Sequence, residues 1–241
     1  MNHPTLQDRL DVRMRPNRPP VMYQRWSNLL FAHWEIDPEI IQNRLPEGLF
    51  VDTLNDQTFI GLVPFYMQKV RPRFFPALPW LSNFMELNVR CYVYDHRGRP
   101  GVWFFSLDCN QPIAVEIARK LFHLPYEHSV MRTKDELYTC RRKGQHELAK
   151  YDFSDHGHTQ QAQVDSLEFF LLERYLLFSQ SSTGKIRVGQ VHHQPYQFSK
   201  LPIQQIDTTP LSWNHFEIEG NPISLLNAPG LDVEIFALTD S

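Results

Sequence analysis

The sequence predicts a mainly β chain of the α+β type: a closed antiparallel β-barrel or cone carrying two or three short peripheral helices. Three observations predict it. About ten segments alternate apolar and polar residues, with turn residues between them. Only three short segments, near residues 38–45, 112–122 and 166–175, show helical spacing or a helix start. Third, Phe84 to Asp108 reads as two long strands around a glycine turn, with one wholly apolar face.

Taken in order, residues 1–20 are polar and basic and are expected to form a flexible N-terminal arm, leaving 21–241 as a single domain. Ser27 to Ile36 reads as a strand. Asp37-Pro38-Glu39 is a helix start, with Asp at the N-cap and Pro at the first helical position. Leu49–Leu54 and Thr58–Val70 read as a hairpin around Asn55-Asp56. Residues 71–82, RPRFFPALPWLS, are too long for a tight turn, and suit either a cover over a pocket mouth or a surface crossover.

From Phe84 to Tyr94 one face is Met85, Leu87, Val89, Cys91 and Val93. The other, Phe84, Glu86, Asn88, Arg90, Tyr92 and Tyr94, mixes polar with aromatic residues. A two-residue Arg97-Gly98 loop would set Leu87 opposite Asp108 and mix the faces. A three-residue loop with Gly98 left-handed sets Cys91 opposite Trp103, Val89 opposite Phe105 and Glu86 opposite Asp108, keeping each face consistent. In that register Glu86, Asn88, Arg90, Ser106 and Asp108 share one face. It is either a solvated outer face, as antiparallel sheets often have, or the polar lining of a ligand pocket.

Pro112 to Phe122 follows with helical spacing, then a Leu124-Pro125-Tyr126 corner whose phenol is positioned to donate a hydrogen bond. Leu137–Arg142 and His146–Phe153 suggest a hairpin, and Ser166 caps a short helix running to Tyr175. Strands are expected at 185–194, 196–206, 211–219 and 231–238.

Composition narrows the function classes. A net charge of −3 gives no electrostatic case for nucleic acid. No apolar run approaches the roughly 20 residues of a membrane span, and no signal core opens the chain. Cys91, Cys109 and Cys140 show no paired spacing, so three free thiols in a reducing cytoplasm are expected. His156-Gly157-His158 with Asp152 and Asp155 lacks a recognised ligand spacing, so no metal site is assigned. His192 and His193 point to opposite faces of their strand, and His33 reads as a satisfied core histidine. No nucleophile elbow, P-loop or dinucleotide fingerprint is present, and no cofactor is expected.

The ordered runs LLFAHWEIDP, LPEGL, FMELNVRCYV, RPGVWFFSLD, ARKLFHLPY, LLERY and VHHQP resemble the YqjF-like family, a bacterial domain of unknown function, over nearly the whole chain after residue 20. More distantly the chain is similar to the acetoacetate decarboxylase-like superfamily, which implies a cone-shaped barrel around the active site. The resemblance aligns Glu86 with an active-site glutamate, and Pro112 through Lys120 with the segment that leads to an aromatic-Pro-Lys-Lys corner. Here that corner is Leu124-Pro125-Tyr126-Glu127, so both lysines are absent, including the Schiff-base lysine. A second glutamate of the superfamily falls at Leu62 or Val63, and its arginine has an approximate counterpart in Arg25.

The reading is therefore a pocket that binds a small acidic or carbonyl-bearing metabolite, with Arg90 or Arg119 as the anion partner. An alternative is a non-Schiff-base enzyme that enolises, hydrates or cleaves a keto acid, with Glu86 and Tyr126 as catalytic acid–base groups. A third is a structural or partner-binding barrel, and assembly into a homo-oligomer is left open.

Overall fold

The structure, a computed structural model, describes residues 3–152 and 157–241. Along the chain run α1 (Leu6–Asp11), β1 (Met22–Ile36), α2 (Pro38–Gln42), β2 (Leu49–Val51), β3 (Thr58–Pro72), β4 (Phe84–Asp95) and β5 (Pro100–Cys109). Then come α3 (Pro112–Phe122), β6 (Tyr126–Lys134), β7 (Leu137–Arg142), β8 (Ala149–Asp152), α4 (Leu167–Leu172) and β9 (Leu176–Gln180). The chain closes with β10 (Ile186–His192), β11 (Ser199–Lys200), α5 (Thr209–Ser212), β12 (Ser224–Ile235) and β13 (Thr239–Asp240).

The strands pair in a ring, in the order β4-β3-β1-β12-β10-β9-β5 and back to β4. The mainly β class and the closure match expectation; a purely antiparallel ladder does not. β5 runs parallel to β9 through Val102 and Trp103, and parallel to β6 through Leu107 to Cys109. One edge of β5 thus serves two strands in succession, and β6, β7 and β8 branch away from the ring. A parallel neighbour needs a crossover, and α3 supplies it between β5 and β6. Where β9 meets β5 the backbones press close: a Cβ on Gly101 would lie 2.6 Å from the Leu176 carbonyl oxygen, so only glycine fits.

The β4–β5 turn forms as its sequence dictates. Gly98 is left-handed (φ 76°), and the Asp95 carboxylate accepts from the Arg97 and Arg99 amides. Cys91 pairs with Trp103 as expected, but the register then slips. Arg90 faces Phe104 and Val89 faces Ser106, leaving Phe105 as an extra residue in a β-bulge. The bulge seats Phe105 edge-on to Phe216 at 4.7 Å, beneath the Arg44 guanidinium. Beyond it every side chain of β5 is sided one residue differently. Leu87 now pairs with Asp108, and Glu86 with Cys109. The expected pairing of Glu86 with Asp108 is therefore wrong.

Other expectations shift too. Asn55 and Asp56 do form the tight turn, but β2 pairs with β4 rather than β3. The segment 211–219 is not a strand: it opens on the end of α5, which has Pro210 in its first turn, and continues as a turn and loop. Among the described residues, 3–20 are tied to the ring at several points. Thr5 makes a capping box that starts α1, and Arg9 reaches the fully buried Asp52 with two bonds of 2.6 and 2.7 Å. Arg174 holds the same carboxylate at 2.6 Å, and Arg15 pairs with Glu234 on β12.

The main apolar core packs the Leu87, Val89 and Cys91 face of β4 against β1, β3, the β6–β8 branch and α5. A second cluster, around Phe31, Val63, Phe65 and Tyr196, lies on the opposite face of β1 and β3.

Candidate active site

Glu86 is 2 % exposed on the face of β4 that also carries Asn88, Arg90 and Tyr92. Its partner arrives through α3. The Gln111 side chain caps that helix, His123 ends it in a left-handed conformation, and β6 starts at once with Tyr126 opposite Leu107. The Tyr126 hydroxyl donates to Glu86 Oε2 at 2.7 Å, and the Tyr138 hydroxyl donates to the Glu86 backbone carbonyl at 2.8 Å. Burial pushes the Glu86 carboxyl up to about 7. The bonds from Tyr126 and Asn88 hold it down, while the charge of Asp108 across the sheet adds to the rise. Burial and the neighbouring carboxylate hold the Tyr126 phenol well above its usual range, so it stays a donor. Glu86 is thus a carboxyl that exchanges its proton near neutrality beside a fixed phenolic donor.

Farther along the same face, Arg90 is buried with its guanidinium over the rings of Phe31 (5.4 Å) and Tyr92 (5.7 Å). Its Nη2 donates to the Leu171 carbonyl of α4 at 3.1 Å. Among the described residues no carboxylate lies within 4.0 Å of it, and its Nε, like the nearby Asn88 Oδ1, has no hydrogen-bond partner. The Tyr92 hydroxyl gives its proton to the Leu171 carbonyl at 3.0 Å and lies 2.8 Å from His33 Nε2. His33 Nε2 is therefore the donor of that pair, and Nδ1 is left as a bare acceptor. Burial, with Arg90 beside it, pushes His33 well below its ordinary range, so it is neutral. Nothing in the sequence around His33 singles it out for this group. Tyr92 stood on the polar face of β4, and that alternation was the signal for it.

The structure separates the other expected residues from this group. Ser106 and Asp108 are turned by the bulge to the opposite face. There Asp108 accepts two bonds from Arg142 (2.8 and 2.6 Å) and one from Ser129 (2.6 Å). Ser106 accepts from Arg142 and Asn214. Arg119 does not face Glu86. It is half-exposed on α3, donates to the Tyr126 backbone carbonyl at 2.7 Å and pairs with Glu127 and Glu116. Arg25 pairs with Asp232, away from the site. Asp155 and His156 of the histidine-rich stretch lie outside the described residues, and among those described no three His, Cys, Asp or Glu side chains group as metal ligands. The three cysteines are free and buried. No helix among the described residues is long and apolar enough to cross a membrane.

Residues 23–232, nearly the whole ring and its branch, match DUF2071, a family of uncharacterized conserved proteins. The chain belongs to the DUF2071 family. It is 37 % identical over 181 residues to the uncharacterized protein YqjF of Bacillus subtilis (strain 168), covering 73 % of this chain and 74 % of that one. Among solved structures it is similar to acetoacetate decarboxylase from Legionella pneumophila, with a TM-score of 0.63 at 11 % identity over 100 % of this chain and 98 % of that. It is also similar to the enduracididine biosynthesis enzyme MppR, solved with the condensation product of pyruvate and imidazole 4-carboxaldehyde (TM-score 0.60, 11 % identity, 92 % and 90 % covered). An acetoacetate decarboxylase-like enzyme from Sphingomonas wittichii RW1 scores 0.60 at 13 % identity, over 93 % and 94 % of the two chains. At these identities the likeness establishes the fold. In this DUF2071 chain all seven lysines (69, 120, 134, 143, 150, 185 and 200) are exposed, so none stands beside Glu86.

Proposed function

We propose that this DUF2071 chain binds a small carboxylate-bearing metabolite on the Glu86 face of β4, with Arg90 as its anion partner. The observation that carries the reading is the buried Arg90 guanidinium, which has a bare Nε and no carboxylate beside it. A buried cation is costly when unpaired, and a ligand carboxylate is the group that would complete it. Asn88 Oδ1 and His33 Nδ1 add acceptors for hydroxyl or amide protons of the same ligand. A panel of short mono- and dicarboxylates, with and without a 2-oxo or 3-oxo group, is screened by thermal shift and calorimetry. Wild-type protein is expected to bind at least one class, and Arg90→Met to lose it. Equal affinity of the two proteins for every member would exclude Arg90 as the anion partner.

A second reading adds chemistry, and the proton exchange of Glu86 near pH 7 favours it. Ionised Glu86 takes the α-proton of a bound carbonyl compound to leave an enolate, and returns the proton to carbon in the reverse step. Tyr126 holds the carboxyl in place. No imine takes part, because a lysine would have to leave the surface to form one. Exchange of α-protons into deuterated water, followed by NMR, is expected for wild type and not for Glu86→Gln, while ligand binding survives in both. Borohydride added with acetoacetate or pyruvate is expected to leave the protein mass unchanged.

A further inference from the structure

Helix α3 is apolar on two sides. Val115, with Ala114 and Ala118, packs on Leu107, Cys109 and Tyr126. On another side Ile113, Ile117 and Leu121, spaced one turn apart, are 41–64 % exposed. A helix packed on one side of a domain ordinarily has one apolar face, so this second apolar stripe, flanked by Glu116 and Lys120, is left without a cover. The loop between β3 and β4 extends the same surface. Its Phe74, Phe75, Leu78 and Trp80 are 42–83 % exposed, and the Trp80 carbonyl accepts from the side chain of Gln111, the residue that caps α3. Seven large apolar side chains are thus exposed on α3 and the loop that touches its cap, the kind of surface that marks an interaction site.

The charges beside the stripe indicate the occupant. Glu116 and Lys120 lie one turn apart along one flank of Ile113, Ile117 and Leu121. When two copies of a helix pack antiparallel about a two-fold axis, each flank meets the same flank of the other copy, and a residue i that meets j is answered by j meeting i. With the axis near residue 118, Glu116 of each copy meets Lys120 of the other, and Ile117 meets the apolar stripe. The surface is thus complementary to itself in charge as well as in hydrophobicity. A lipid surface fits less well: Glu116 is half-exposed within this patch, where an anionic headgroup would meet it.

We infer that α3 and the 74–80 loop form the interface of a homodimer, in which the stripe of one copy covers that of the other. The inference stands apart from the ligand reading, although α3 also carries the backbone that leads to Tyr126.

Sedimentation velocity at 1–100 µM tests it. Wild type is expected at twice the chain mass. Ile117→Glu is expected to raise the dissociation constant more than 100-fold with an unchanged circular dichroism spectrum. Glu116→Lys and Lys120→Glu should each weaken self-association about 10-fold, because like charges then meet twice, yet a 1:1 mixture of the two variants should form a heterodimer. That mixing result separates a two-fold contact from a change in helix stability, since each variant carries its own intrahelical charge effect into the mixture. The proposal is overturned by a monomer at 100 µM, by a dimer that survives Ile117→Glu, or by a mixture no tighter than its components. Monomeric protein that instead sediments with phosphatidylglycerol vesicles would assign the patch to a membrane surface.

Discussion

The two faces of the β4–β5 pair carry polar clusters of similar make-up and opposite bookkeeping. On one, Asp108 is matched by Arg142 and Ser129, and Ser106 by Arg142 and Asn214. On the other, Glu86 has a phenol but no cation, and Arg90 has a carbonyl but no carboxylate. The first is what a fold requires of buried charge, while the second leaves Arg90 Nε and Asn88 Oδ1 without a protein partner. Partner count, rather than residue type, separates the structural cluster from the candidate site.

The sharpest way to break that comparison is to remove Asp108. Asp108→Ala leaves Arg142 with its buried partner gone and should cost about 3–5 kcal/mol in urea unfolding. A loss under about 1 kcal/mol would mean that the matched cluster is no more structural than the other.

Glu86→Gln should act in the opposite direction and depend on pH. The carboxyl ionises near 4.5 in the unfolded chain and near 7 in the folded one. Between those values the unfolded state gives up its proton first, so the Glu86 contribution to wild-type stability falls as pH rises through that window and is level on either side. The full loss is about 3 kcal/mol from the size of the shift. The variant should lack this slope and be the more stable protein at pH 8. Parallel stability curves for the two proteins from pH 4 to 8 would show that Glu86 is not perturbed.

Smaller still, Tyr126→Phe removes one hydrogen bond, about 1 kcal/mol, and raises the Glu86 midpoint further, since that bond favours the ionised form. NMR titration of a labelled Glu86 carboxyl reads the shift, and a fall would contradict the donor role. Arg90→Met should change stability least, within about 1 kcal/mol in either direction, because a cation with no anion is exchanged for a chain of similar volume. Its effect belongs to ligand binding.

Much of the ring was legible because it is local chemistry. Gly98 fixed the β4–β5 turn, and the helical spacing from Pro112 to Phe122 marked α3. Glu86 and Tyr126 came from strand alternation and from a resemblance in which lysine is missing. What stayed hidden depends on partners far along the chain. The bulge places Phe105 against Phe216, and nothing near residue 105 announces that contact. The same slip moved Ser106 and Asp108 off the Glu86 face. Arg9 looked like a solvated arm residue because Asp52, the buried carboxylate it shares with Arg174, is distant in sequence. α5 was missed although Thr209-Pro210 is a fair helix start, since Leu211 and Trp213 also fit a strand.

The pairing of β1 with β12 has a consequence in time. Nearly 190 residues separate the two strands, and eleven paired positions join them. At about 5–20 residues per second of synthesis, β1 emerges roughly 10–40 s before the partner of its second edge. During that interval β3 occupies one edge of β1, while the other offers unpaired backbone over a strand that includes Leu29, Leu30 and Phe31. The nascent protein therefore passes through an open-edged stage set by its topology alone. A chain stopped short of Ser224 would be held there, with its exposed strand available to any other extended segment.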